Sequence, residues 1–229
     1  MNKKQFLELE RRLIAEGHDA DLDSFEVIRA RLRDKAPVPA DEFARQAIYV
    51  VLAGGFSQKT AKSKHREIMG RLSVSPPLGG STPEGREEGL KKYNKSSLSS
   101  ATPTLPLKEG EAELCQNLLS IFNNKNKINA IVKLWNGREV YRDGYYKQGD
   151  SKDKLAYLAM LPHIGKITAN HLARNLGENV FKKDVWIERL LLKYGDDLLE
   201  RLERETALPR GYIDVVLWKG CQIGLLKTN

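Results

Sequence analysis

The stretch from Leu155 to Leu198 restricts the fold more than any other part of the chain. Leu155, Leu158 and Leu161 share one helical face, and Pro162 ends that helix because its ring nitrogen has no proton to donate. Gly165 is expected to allow a tight turn, after which Ala169, Leu172, Ala173 and Leu176 return to helical spacing. The pattern predicts helix, hairpin, helix, with small Ala169 and Ala173 letting the two helices pack closely. Backbone N–H groups at the start of the second helix suit a phosphate. Gly177 stops that helix. Phe181-Lys182-Lys183-Asp184 opens another, because Ile187, Leu190, Leu191, Tyr194 and Leu198 share a face. Asp184 therefore falls at a helix N-terminus, where aspartate also serves as a plain N-cap.

Upstream, residues 3–16 place Phe6, Leu9 and Leu13 on one helical face, and Phe25, Ile28 and Leu32 do the same in a second segment. Pro37-Val38-Pro39 breaks the pattern, and Asp41 is expected to cap a third helix whose run Ala47 to Ala53 is apolar almost all round, hence buried. Gly54-Gly55 ends it, either as a simple turn or as a joint where backbone approaches a ligand. Ser57 can cap the next helix, with Lys59, Lys62, Lys64 and Arg66 on its surface. Residues 73–112 contain five of the nine prolines without helical or strand period and read as a flexible insertion. Within it, Thr102-Pro103-Thr104-Leu105-Pro106-Leu107-Lys108 resembles translated palindromic repeats that some bacteria carry inside genes, which implies a graft outside the function. Helical spacing resumes at Leu114, Leu118 and Ile121 and again at Ile128, Ile131, Val132 and Trp135. Arg138 to Asp150 reads as a loop or short helix, whose Tyr141, Tyr145 and Tyr146 either stack on a base or pack at the core edge.

This is an all-α pattern. An excess of 38 Lys and Arg over 30 Asp and Glu gives +8 and favours a polyanionic partner. No apolar run approaches the roughly 18 residues that span a bilayer, and the charged start MNKKQFLELERR lacks a signal-peptide core, which predicts no membrane and a cytoplasmic location. Cys115 and Cys221 are too few and too distant for a zinc or iron–sulfur site; they read as buried thiols, with a disulfide left open.

LPHIGKITANHLARNLG followed by VFKKDVWIERL resembles the helix-hairpin-helix-GPD superfamily of base-excision DNA glycosylases, in which a Leu-Pro-x-(Val/Ile)-Gly-x-x-Thr-Ala hairpin precedes a conserved aspartate by a little under twenty residues. The aspartate position matches Asp184. A weaker resemblance runs through LAGGFSQKTAKSKHREI and IDVVLWKGCQIGLL.

The resemblance implies two helical lobes with a DNA-binding cleft between them: 1–39 with 179–229 carrying Asp184, and 40–178 carrying the hairpin 161–166. It implies a glycosylase that flips a damaged or modified base from double-stranded DNA and cuts its N-glycosidic bond, with Asp184 stabilising positive charge on the sugar. His163, Ile164, Gly165, Lys166 and Thr168 would grip the DNA backbone, chiefly through the amides of Ile164, Gly165 and Lys166. Lys182 and Lys183 would neutralise phosphates or belong to a solvated loop. Phe56, Gln58, Tyr145 and Trp186 are the candidates for wedge or base pocket. No catalytic metal or cofactor is implied beyond a monovalent cation on hairpin carbonyls, and the enzyme is expected to act as a monomer.

Two departures matter. Members that also nick the strand carry a lysine two residues after the hairpin glycine; Ile167 stands there, and Lys166, one residue early, is turned by about 100°. A monofunctional enzyme follows. His163 replaces the first of two hairpin glycines common in the family, so the turn differs locally or gains a side-chain phosphate contact. The rival readings are a DNA-binding module without catalysis and an all-helical interaction protein.

Overall fold

The structure, a computed structural model, describes residues 1–18, 20–74 and 110–228. Among the described residues there are twelve α-helices and no strand, so the chain is all-α. In order they are α1 (Lys3–Ala15), α2 (Phe25–Asp34), α3 (Ala40–Ala53), α4 (Gln58–Val74), α5 (Glu111–Leu119), α6 (Lys125–Asn136), α7 (Arg138–Tyr146), α8 (Ser151–Leu158), α9 (Lys166–Asn175), α10 (Val185–Tyr194), α11 (Leu198–Thr206) and α12 (Arg210–Gln222).

The apolar side chains gather in two clusters. One is built around α3, whose residues Phe43, Ala44 and Ala47 to Leu52 are all buried, and it collects α4 to α9. A helix apolar on every face can only sit at a core centre. The other joins α1 and α2 to α10, α11 and α12, with Tyr212 to Leu217 at its middle. Helix α9 touches both α3 and α2. Between α2 and α3, Arg31 and Arg45 share Asp23 and Glu42, and Gln46 donates to both carboxylates.

Among the local expectations some are revised and others are met. Pro39, not Asp41, is the N-cap of α3; Asp41 lies in the first turn, where its charge still favours the helix dipole, and pairs with Arg138. Ser57 accepts the Thr60 amide at 3.2 Å and so caps α4. Arg138 to Tyr146 is helical. Helix α4 runs to Val74 and α5 starts at Glu111, inside both ends of the expected insertion; its remainder, residues 75–109 with the Thr102 to Lys108 phrase, lies outside the described residues. Cys115 and Cys221 are free and buried in different clusters, so no disulfide joins them. Among the described residues no helix is long and apolar enough to cross a membrane.

Candidate functional site

The hairpin is a β-turn. The Ile164 amide donates to the Leu161 carbonyl at 3.0 Å, with Pro162 and His163 between them and both flanking side chains buried. His163 has φ +62°, in the left-handed region, while Gly165 has φ −101°, open to any residue. Proline followed by a positive φ is the pattern of a type II turn, whose third position ordinarily takes glycine. The tight turn is thus made at His163 rather than at Gly165, at some conformational cost for a residue with a side chain.

The amides available to a ligand also differ from expectation. The Ile164 N–H is spent on the turn, and the Gly165 N–H donates to Thr168 Oγ1 at 2.8 Å. Those of Lys166, Ile167 and Thr168 have no partner among the described residues, because the first turn of a helix lacks preceding carbonyls. Thr168 therefore acts as a backbone cap through its side chain. The Leu161 and Gly165 carbonyls accept bonds within the hairpin, so a monovalent cation would be left with those of Pro162, His163 and Ile164.

Asp184 is the N-cap of α10. Its Oδ1 accepts the amides of Trp186 and Ile187 at 3.0 and 3.2 Å, and its Oδ2 lies 3.3 Å from Lys182 Nζ. Lys182 is half-buried and Lys183 exposed. Lys183 lines a groove of about 400 Å³ together with Lys166, Asn170, Phe181 and Arg210. Two lysines singled out from distant motifs thus face one groove between the hairpin helix and the Asp184 loop.

Behind this loop lies a buried polar network with no counterpart among the expected site residues. Arg174 NH1 donates to Asp214 Oδ2 at 2.7 Å and NH2 to Asp21 Oδ2 at 3.0 Å. His171 Nε2 also meets Asp21 Oδ2. Burial works against the Asp21 carboxylate, but His171 and Arg174 outweigh it and hold its pKa well below the usual range. Burial lowers the His171 pKa in spite of Asp21. The clue in the sequence was a charged residue inside an apolar helical run, Arg174 beside Ala173 and Asp214 in IDVVLW.

The Gly54-Gly55 joint comes close to the hairpin. Thr168 Cγ2 lies 3.9 Å from where a Gly54 Cβ would sit. Lys127, from α6, buries its ammonium between them: Nζ donates to the Gly54 carbonyl at 3.0 Å and lies 5.1 Å from the Phe56 ring centre. Burial lowers the Lys127 pKa, and burial with the Lys127 charge lowers that of His163.

Of the pocket candidates, Tyr145 is fully buried between Phe43 and Tyr146, its hydroxyl directed at Glu178. That removes it as a base-stacking residue, since the apolar face of α7 turns its ring into the core. Phe56 packs edge-on against Phe122 at 5.5 Å. Gln58 bridges the Asp21 carbonyl and Lys219 Nζ, the latter at 2.6 Å. Trp186 packs on the second cluster with Arg189 over its ring. In comparisons with known proteins, no family model, no curated protein and no solved structure matches the chain.

Proposed function

We propose that the chain is a monofunctional DNA glycosylase, hydrolysing the N-glycosidic bond of a damaged or modified base flipped from duplex DNA. The observation that carries the reading is the placement of Asp184: a half-buried carboxylate capping a helix N-terminus, next in the chain to Lys183, which lines one groove with hairpin Lys166. In this reading residues 1–39 with 179–229 and residues 40–178 form two lobes, and DNA lies across the cleft between them.

Each part then has a chemical task. The amides of Lys166, Ile167 and Thr168, with Lys166, take the backbone of the extruded nucleotide, a contact indifferent to sequence. Oδ1 of Asp184 stays on the α10 amides, so Oδ2 faces C1′ and supports the oxocarbenium-like charge while orienting water. Lys182 leaves Oδ2 for a phosphate as DNA binds. The joint at Gly54 to Gln58 supplies the wedge, for which Phe56 or Gln58 must give up its present contacts. Ile167 in place of the lyase lysine leaves hydrolysis without strand cleavage. We place the enzyme in the cytoplasm, on the nucleoid, as a monomer.

The N-cap bonds of Asp184 equally suit a non-catalytic DNA-binding protein, and one experiment separates the two. Purified protein is screened against duplexes each bearing one altered base, alongside Asp184→Asn. The variant should lose at least about 100-fold in base release while binding DNA as well or better, and wild-type product should stay uncut until alkali or heat is applied. Unaltered turnover in Asp184→Asn removes Asp184 from the mechanism. Salt-sensitive binding without base release supports the non-catalytic reading. A borohydride-trapped adduct with strand nicking overturns the monofunctional assignment, with Lys166 the first lysine to test.

A further inference from the structure

Arg174 and Asp214 take no direct part in that chemistry, yet they stand where the hairpin helix meets the Asp184 loop. Their exposures are 3% and 1%, so each charge has been taken almost wholly out of water. Asp214 Oδ2 accepts two bonds at once: the Arg174 guanidinium at 2.7 Å and the Lys182 amide at 3.1 Å. The Lys182 carbonyl in turn accepts the Asp184 amide at 2.8 Å. A continuous chain of contacts therefore runs from α9, which begins at the hairpin, through α12 to the Asp184 backbone.

The backbone of α12 is pressed against the same loop. A Cβ on Gly211 would sit 2.8 Å from the Val180 carbonyl and 3.2 Å from Arg174 Cγ, and the Gly211 amide donates to Asn179 Oδ1 at 3.0 Å. A buried ion pair is costly to desolvate, and apolar residues of similar volume often stabilise a fold as well or better. An apolar pair, however, could not hold a backbone amide in place. Only an acceptor with lone pairs to spare can take the guanidinium and the Lys182 N–H together.

We propose that the Arg174–Asp214 pair is a positioning device of the base-excision site, setting Asp184 at a fixed height relative to the phosphate-gripping hairpin. The kinetic consequence rests on the glycosylase reading; the coupling can be measured without any substrate. Bond cleavage depends on where Oδ2 stands relative to C1′, and displacement by about 1 Å can cost about 100-fold. DNA binding depends on the hairpin amides and the lysine side chains, whereas the pair acts on the Lys182 backbone.

The test compares Asp214→Asn, Asp214→Leu and the double variant Arg174→Met with Asp214→Leu. Three quantities are read: amide exchange at Lys182, the single-turnover rate of base release, and affinity for a duplex with an abasic-site analogue. In Asp214→Leu, Lys182 exchange should quicken by about tenfold or more and the rate fall by about 100-fold, with affinity changed by less than about threefold. Asp214→Asn keeps an oxygen for the Lys182 amide and should stay within about tenfold of wild type. In the double variant no guanidinium is left short of Asp214, while Asp21, which loses Arg174, keeps His171 as its partner. It should recover part of the melting temperature lost in Asp214→Leu, while Lys182 exchange stays fast and the rate low. Recovery of the rate together with melting temperature would reduce the pair to a stability element and overturn the proposal, as would unchanged Lys182 exchange in Asp214→Leu. Should wild type release no base from any duplex, the glycosylase reading fails, and Lys182 exchange still decides whether Asp214 holds the loop.

Discussion

Lys127 of α6 and Gly54, the C-cap of α3, lie on opposite sides of the 75–109 segment in sequence and meet through an ammonium-to-carbonyl bond of 3.0 Å. The bond lies at the C-terminal end of α3, where the helix dipole favours a cation, and the same ammonium stands over Phe56. One buried lysine thus ties the Gly-Gly joint to α6, and its charge reaches His163 in the hairpin.

Lys127→Met removes that charge while keeping much of the side-chain length. Stability should fall by about 1 kcal/mol, the usual worth of a cation at a helix C-terminus plus one hydrogen bond, moderated by the desolvation that a methionine avoids. The His163 imidazole should then titrate at higher pH, which two-dimensional NMR of its ring protons reads directly. An unmoved titration would show that the ammonium and the hairpin are electrostatically independent.

His163→Gly tests the turn. Glycine adopts φ +62° without steric cost, so thermal stability should hold or rise by up to about 1 kcal/mol, whereas alanine at the same position should bring no gain. With the protonated imidazole on a phosphate, the glycine variant loses about one unit of salt dependence in DNA binding, and only as pH falls below the ordinary histidine range, because burial and Lys127 lower the His163 pKa. A destabilised glycine variant would mean that the histidine side chain holds the turn.

His65 makes the fold sensitive to acid. Burial lowers its pKa from 6.5 to about 4, with Nε2 on the Arg45 carbonyl at 2.9 Å. Below pH 6.5 the unfolded chain takes up a proton that the folded one refuses, so this contribution is intact above 6.5 and is lost progressively as pH falls to about 4. The full loss is about 3 kcal/mol, and buried His171 acts in the same direction. In His65→Gln, whose amide can still donate to Arg45, the urea midpoint should fall less between neutral and acidic pH. Equal slopes in the two proteins would assign the acid sensitivity elsewhere.

Much of the helical order is written in local spacing. Leu155 and Leu158, then Ala169, Leu172, Ala173 and Leu176, mark α8 and α9 because contacts three and four residues apart decide a helix face. Asp184 at the start of α10 is legible for the same reason: a cap is a bond to an amide two or three residues on. Positions around the hairpin were less legible. Gly165 looked like the turning residue, but His163 takes the positive φ, since the Leu161–Ile164 bond sets where the chain reverses.

The sequence by itself determined an all-helical chain, a hairpin between α8 and α9, and an aspartate capping α10. Tertiary structure alone decided that Tyr145 is core, that Lys127 reaches Gly54, and that Arg174 and Asp214 close on each other under the Lys182 amide. The difference is one of range. Periodicity records which face of a helix is apolar, but the partner of a buried charge is chosen by which distant polar group must also be satisfied once water has been excluded.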